Sequence, residues 1–323
     1  MYRVLSCLTT SHDPWLLTVA IGICLAAATT TFALFAVASQ SADVRRLAWA
    51  ALAGAAGGTG IWATHFVDML AYQAGFPIRF DTVATVESLL IAIAVSAVGF
   101  AVAASGRGYA RLLGGAVVGT AIAAMHFRGM QAIVVPGAMA WDQSMVAVSI
   151  LAGIALATAS MAIFDYLKGG GRAIGFAALC LAFAVCALHF TAMEAVVINP
   201  DPTIEAGAGM NKAHLAFAVV SIFLVVILYA AAAILIQRAN LRFESILREQ
   251  NALFETAIHH LPVGLSMFDA EQRLIMCNPA YRKLYSLSEL TPVMGRRSLR
   301  SCSSMPTANK AALTTPFRWR ADG

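Results

Sequence analysis

The sequence predicts an all-α membrane protein with seven transmembrane helices built from two-helix repeats, followed by a cytoplasmic linker helix and an incomplete α/β segment. Three observations predict it. The 323 residues are 59% hydrophobic and only 12% charged, with a mean hydropathy of +0.74; an ordinary soluble domain carries about twice that charge. Seven apolar segments each approach the roughly 20 residues needed to cross about 30 Å of hydrocarbon. A pattern A-x-H-F-x-x-M recurs three times, as ATHFVDM (Ala63 to Met69), AMHFRGM (Ala124 to Met130) and ALHFTAM (Ala187 to Met193).

The apolar segments run over about residues 15–38, 47–72, 83–104, 111–135, 144–166, 173–197 and 214–236. The first begins near Trp15 after few positive charges and is long enough to span, so it reads as an anchor rather than a cleaved signal peptide. Short turns separate the segments, among them Gly75 to Pro77, Pro136-Gly137 and Gly169-Gly170-Gly171. Lysine and arginine concentrate in the turns after spans one, three and five: Arg45 and Arg46, Arg107 and Arg111, Lys168 and Arg172. The turns after spans two, four and six hold only Arg79 and Lys212. That bias puts the N-terminus outside and the C-terminus in the cytoplasm. The net charge of +5 is spread over these short turns, so no nucleic-acid partner is expected and the lipid bilayer is the first one.

Spans two, four and six therefore run in the same direction. Their histidines, His65, His126 and His189, are 61 and 63 residues apart (126 − 65 and 189 − 126) and fall at similar depth near the outer face. An ionisable group at membrane depth is costly and marks a functional site by default. A methionine follows each histidine by four residues, on the same helical face. The pairs His65/Met69, His126/Met130 and His189/Met193 are expected to converge on one pocket, with Met125 beside His126. Neutral imidazole and thioether together suit copper, whereas zinc prefers histidine with cysteine or carboxylate. The competing reading has each histidine hydrogen-bonding a neighbouring helix and the methionines packing. His12, Asp68 and His214 lie near the same face and are accessory candidates. Arg128, about 200° around the helix from His126, is expected to point away from the pocket. The six cysteines form no CxxC pair, and Cys180 and Cys186 read as small apolar residues of one span.

The chain divides on this reading into a transmembrane domain over 1–237, a cytoplasmic linker helix over 238–260, a mixed segment over 261–292 and an irregular, truncated or frame-altered tail over 293–323. The linker has helical spacing and mixed charge. In the mixed segment, Val263 to Phe268 and Arg273 to Cys277 read as strands around a polar turn, and Asn278-Pro279 opens a helix.

The triple motif on seven spans resembles the MHYT domain, a bacterial integral-membrane sensor module whose motif is Met-His-Tyr-Thr or a close variant, three times. Met125-His126-Phe127 is the nearest copy; Thr64 and Leu188 stand where the family often has methionine. The resemblance implies a bacterial inner-membrane protein that binds copper through His and Met and senses a diatomic gas (O2, CO or NO) or redox state. Residues 253–290 resemble the start of a PAS domain, with Asn278 matching a frequent asparagine. Such proteins commonly continue into GGDEF and EAL domains that make and break cyclic di-GMP; this chain has neither. The expected function is thus a non-catalytic sensor relaying to a cytoplasmic output partner, with homodimerisation a further expectation. Haem binding, electron transfer and transport are the alternatives.

Overall fold

A computed structural model describes residues 12–73, 78–106, 108–200, 209–270 and 274–286. The turn expected at Gly75 to Pro77, Arg107 and the tail over 293–323 lie outside the described residues. The chain divides into two compact units, Met1–Ile236 and Gln237–Gly323.

In the first unit, α1 (Pro14–Gln40) starts where Asp13 accepts hydrogen bonds from the N–H groups of Trp15 and Leu16, with Pro14 in the first turn. It is followed by α2 (Asp43–Ala71), α3 (Thr82–Ala104) and α4 (Tyr109–Gln131). Next come α5 (Gln143–Tyr166) and α6 (Gly171–Glu194). Asp81 and Asp142 cap α3 and α5 as Asp13 caps α1. A further helix, α7, runs unbroken over Lys212–His260. The linker read over 238–260 is therefore the continuation of α7, since no glycine or proline interrupts the helix at that point.

Among the described residues, six helices are long and apolar enough to cross a membrane: α1, α3, α4, α5, α6 and α7. The expected second span, α2, falls short of that hydropathy. It carries His65, Asp68, Thr59, Thr64 and four glycines, and nearly every residue from Ala53 to Met69 is buried. A helix facing mainly protein does not need the composition of one facing lipid.

Each of the first six helices packs on its sequence neighbours, and α6 packs back on α1, closing a ring. Small residues permit the approach. A Cβ on Gly58 would lie 2.4 Å from the Ala92 carbonyl oxygen of α3, one on Gly114 would lie 2.5 Å from the Gly99 carbonyl oxygen, and one on Gly119 would lie 2.4 Å from Ile154 Cα. Because α2, α4 and α6 alternate with α1, α3 and α5, the three motif helices run parallel and face one another across the ring.

At the histidine end of the ring, short strands replace what the sequence predicted as the last turns of spans four and six. β1 (Arg79–Phe80) pairs with β2 (Ile133–Val134), and β3 (Gly137–Trp141) pairs antiparallel with β4 (Val196–Pro200) in the register Trp141↔Val196 to Gly137↔Pro200. The runs Ile133-Val134-Val135 and Val196-Val197-Ile198 are apolar enough to read as membrane span. They are β-branched, however, and Pro136 disfavours helix at the residue before it.

The second unit contains β5 (Ser266–Phe268), β6 (Leu274–Cys277) and α8 (Pro279–Leu284). Asn278 organises it. Its carboxamide oxygen accepts from the N–H groups of Leu265 and Tyr281, and its amide donates to the carbonyls of Ile258 and Val263.

The close α2–α3 approach generates a test. Gly58→Leu is expected to destabilise the bundle by at least the roughly 1–3 kcal/mol typical of overpacking, while Gly22→Leu, whose added Cβ meets nothing within 4 Å, leaves stability unchanged. Thermal unfolding of both variants in detergent would show equal midpoints if the approach is not as close as described.

Candidate metal centre

His65, His126 and His189 project into the middle of the ring from α2, α4 and α6. Their ring centroids are 4.9 Å (65 to 126), 5.2 Å (65 to 189) and 5.1 Å (126 to 189) apart, close to an equilateral triangle. All three are buried. One nitrogen from each lies within 4.8 Å of the others, and His65 Nδ1 faces His189 Nδ1 at 3.2 Å. Three nitrogens bound to one ion at about 2.0–2.1 Å sit roughly 3.4 Å apart, so a small closure would complete a coordination site.

The hydrogen-bond inventory leaves several of these ring nitrogens open. Both ring nitrogens of His126 and Nε2 of His65 are buried with no hydrogen-bond partner among the described residues. Leaving such groups unmade is costly, and a cation on their lone pairs would satisfy them. The donor set fits a metal ion.

A cavity of about 20 Å³ adjoins the triangle, walled by Thr64, His65 and Asp68 of α2, by Ile122, Met125 and His126 of α4, and by Val185, Cys186, Leu188, His189 and Phe190 of α6, with Leu17, Ala20 and Ile21 of α1 closing one side. The residue before each histidine, Thr64, Met125 and Leu188, lies in this wall. So do residues one turn back, Ile122 and Val185. The methionines one turn ahead do not: Met69, Met130 and Met193 are buried in the core outside the wall. Side chains on a helix lean toward its N-terminus, so the imidazoles reach back over the preceding turn, and the pocket forms there. The spacing argument put His and Met on one face, but it took no account of this lean.

Asp68 is the carboxylate of the site. Its Oδ2 contacts His189 Nε2 directly and lies 3.7 Å from His12 Nε2. His189 therefore presents Nδ1 to the triangle and Nε2 to a carboxylate, the arrangement that fixes a metal-ligating imidazole in orientation and tautomer. His12 is buried at the outer side of this contact, against Tyr72 (5.5 Å) and Phe190 (5.9 Å), and the N–H of Asp13 bonds the Ala71 carbonyl at 2.9 Å. His214 is exposed and takes no part in the cavity wall. Arg128 is turned away from the cavity, its guanidinium on Glu87 and on Gln131 Oε1.

Two features escaped the sequence. Gly129 has no room for a Cβ, which would lie 2.5 Å from His65 Nε2. Cys186, three residues before His189, puts a thiol in the wall; its offset from the histidine was the available signal.

Residues 58–116 and 119–177 match the family model of the MHYT bacterial signalling protein N-terminal repeat, and residues 258–304 match that of a PAS fold. The two repeat matches are offset by 61 residues (119 − 58), the spacing of His65 and His126. The third motif, around His189, lies beyond them. The PAS match continues past Pro292, where the sequence alone placed its end. A signalling protein of Caulobacter vibrioides is 36% identical over 260 residues, covering 79% of this chain and 32% of its own length. The cyclic di-GMP phosphodiesterase NbdA of Pseudomonas aeruginosa is 40% identical over 149 residues, covering 44% of this chain and 19% of its own. The bifunctional diguanylate cyclase/cyclic di-GMP phosphodiesterase MucR of the same organism is 32% identical over 228 residues, covering 66% and 33%. The chain thus spans about a third or less of the length of these relatives. No solved structure matches it.

The carboxylate contact generates a test. Asp68→Asn keeps the shape but replaces the carboxylate behind His189, and metal affinity is expected to fall about 10–100-fold, as is typical when such a partner is lost. Metal titration of the purified variant at wild-type affinity would rule out the orienting role.

Proposed function

Starting from two MHYT repeats at residues 58–177 and a PAS-fold segment at 258–304, we propose that this multi-pass membrane signalling protein holds one metal ion on His65, His126 and His189 and reports its state to cytoplasmic signalling. The observation that carries the reading is the triangle of three buried imidazoles, several of whose nitrogens are unsatisfied. Copper is the first choice. Imidazole suits it, and the Met125 thioether and the Cys186 thiol in the same wall are soft donors. Bound copper would supply a coordination position for a diatomic gas, or a change of oxidation state.

The chain's own residues supply the rest. His65, His126 and His189 bind as neutral ligands, so the site forms without burying several anions. Asp68 orients His189, and the apolar residues of α1 exclude water. A ligand shifts the ring only through unequal affinity for two packings, and each histidine sits on a different helix of the ring. The cavity of about 20 Å³ accommodates an ion and a water-sized ligand but not a porphyrin, which weighs against haem. Transporter sites form at broken helices near the midplane; α2, α4 and α6 are each continuous through their histidines, which weighs against transport.

Cyclic di-GMP turnover is what the relatives NbdA and MucR are named for. For this chain the reading is a non-catalytic input module at a bacterial inner membrane, with its C-terminus in the cytoplasm and its output in cyclic di-GMP signalling. Metal analysis of gently purified protein should find about one ion per chain, lost in His65→Ala, His126→Ala and His189→Ala alike; unchanged stoichiometry in all three would reject the assignment. The 323-residue polypeptide incubated with GTP or with cyclic di-GMP should turn over neither, and product formation by the pure chain would contradict the non-catalytic reading.

A further inference from the structure

A second cavity, of about 400 Å³, lies at the opposite end of the ring from the histidines and shares no lining residue with the first. Its wall is Ala36, Ser39 and Gln40 from the end of α1, Arg111 from the first turn of α4, and Phe164, Asp165, Lys168 and Gly169 from the end of α5. Two cations and one anion line it, leaving an excess positive charge. This is the end that the Lys/Arg bias assigns to the cytoplasm, level with Arg45, Arg46 and Arg172.

Arg111 is held in place before any ligand arrives. Its Nε donates to the Gly106 carbonyl at 3.1 Å and lies 3.9 Å from Asp165 Oδ1, and its guanidinium sits 4.9 Å from the Phe35 ring and 5.3 Å from the Phe164 ring. A buried, preset guanidinium is a good phosphate partner.

Lys168 supplies the second observation. α5 ends in a Schellman arrangement, with the Lys168 N–H on the Asp165 carbonyl and the Gly169 N–H on the Phe164 carbonyl. The first left-handed position of that motif normally takes glycine. Here it is Lys168, at φ +57°, with Gly169 following at φ +69°. A lysine in a conformation that side-chain-bearing residues rarely adopt is kept at the rim of the cavity against its local preference, and an outlier of this kind points toward function rather than stability.

We propose that this cavity binds a phosphate group, with Arg111 and Lys168 as its cationic contacts and the Gln40 amide as a further donor. The headgroup of an anionic phospholipid of the cytoplasmic leaflet is the source its position favours. Basic pockets between membrane helices on that side take such headgroups.

Lys168→Gly tests this cleanly, because glycine suits the backbone there and the variant should fold at least as well as the wild type. Full-length protein would be placed in phosphatidylcholine nanodiscs, in nanodiscs containing phosphatidylglycerol, and in phosphatidylcholine nanodiscs with added inorganic phosphate. Lipid retained per chain would be read by native mass spectrometry and stability by the thermal midpoint. Wild type is expected to retain phosphatidylglycerol preferentially, and Lys168→Gly to retain about fivefold less, the factor one lysine contributes near an anionic surface. Gln40→Glu, at an exposed residue of the wall, should weaken retention without altering the α5 terminus. Stabilisation of wild type, but not of Lys168→Gly, by inorganic phosphate would identify free phosphate as the source. Equal retention by wild type and both variants, or no preference over phosphatidylcholine, would overturn the proposal.

Discussion

Three imidazoles buried together inside an apolar ring set the terms for the rest of this fold. Nitrogens in that setting must be satisfied by one another, by a carboxylate or by an ion. His65 and His189 meet across 3.2 Å, and Asp68 takes the far side of His189. That leaves Nε2 of His65 and both nitrogens of His126, which have no described partner. The cluster is thus one whose polar atoms are only partly satisfied by the surrounding protein.

Bringing three helices to one point requires the helices between them to give way. The glycines of α2 and α4 allow α3 and α5 to sit close against their backbones, and a Cβ at Gly54, Gly58, Gly114 or Gly119 would strike a neighbouring main chain. The small residues and the histidines therefore form one design. Close contacts around the ring shorten the distance across it, so that imidazoles from α2, α4 and α6 touch. Gly129 extends the same logic to the centre itself, since the missing side chain is what His65 Nε2 occupies.

Most of this architecture was legible because hydropathy and a three-fold motif are long-range signals. The long apolar helices and the common level of the three histidines come from patterns that local chemistry cannot disguise. What stayed hidden depends on side-chain direction or on competition between similar propensities. The lean of helical side chains moved the pocket from Met69, Met130 and Met193 to Thr64, Met125 and Leu188. Val196-Val197-Ile198 satisfies a membrane span and a strand equally well, and pairing with Gly137–Trp141 decides between them. The hydropathy of α2 is lowered by the very residues that build the site. Asp68 and His12 were visible as neighbours in depth, but only the packed ring shows that a carboxylate from α2 serves a histidine from α6.

That last relation breaks the symmetry of the ring. The imidazoles are related by three near-equivalent repeats, yet only the first copy has an aspartate three residues after its histidine, only the second keeps methionine before it, and only the third brings a cysteine into the wall. Each copy therefore contributes the same ligand and a different neighbour. An ion at the centre would feel a carboxylate from one side and soft sulfur from the others. The carboxylate side is also where His12 is buried and where the start of α1 is bonded to the end of α2 through Asp13 and Ala71. The Asp68 carboxylate, in contact with His189, is thus the side of the triangle that adjoins this junction. Symmetry places the three imidazoles, and its loss at the neighbouring positions gives each of them different surroundings.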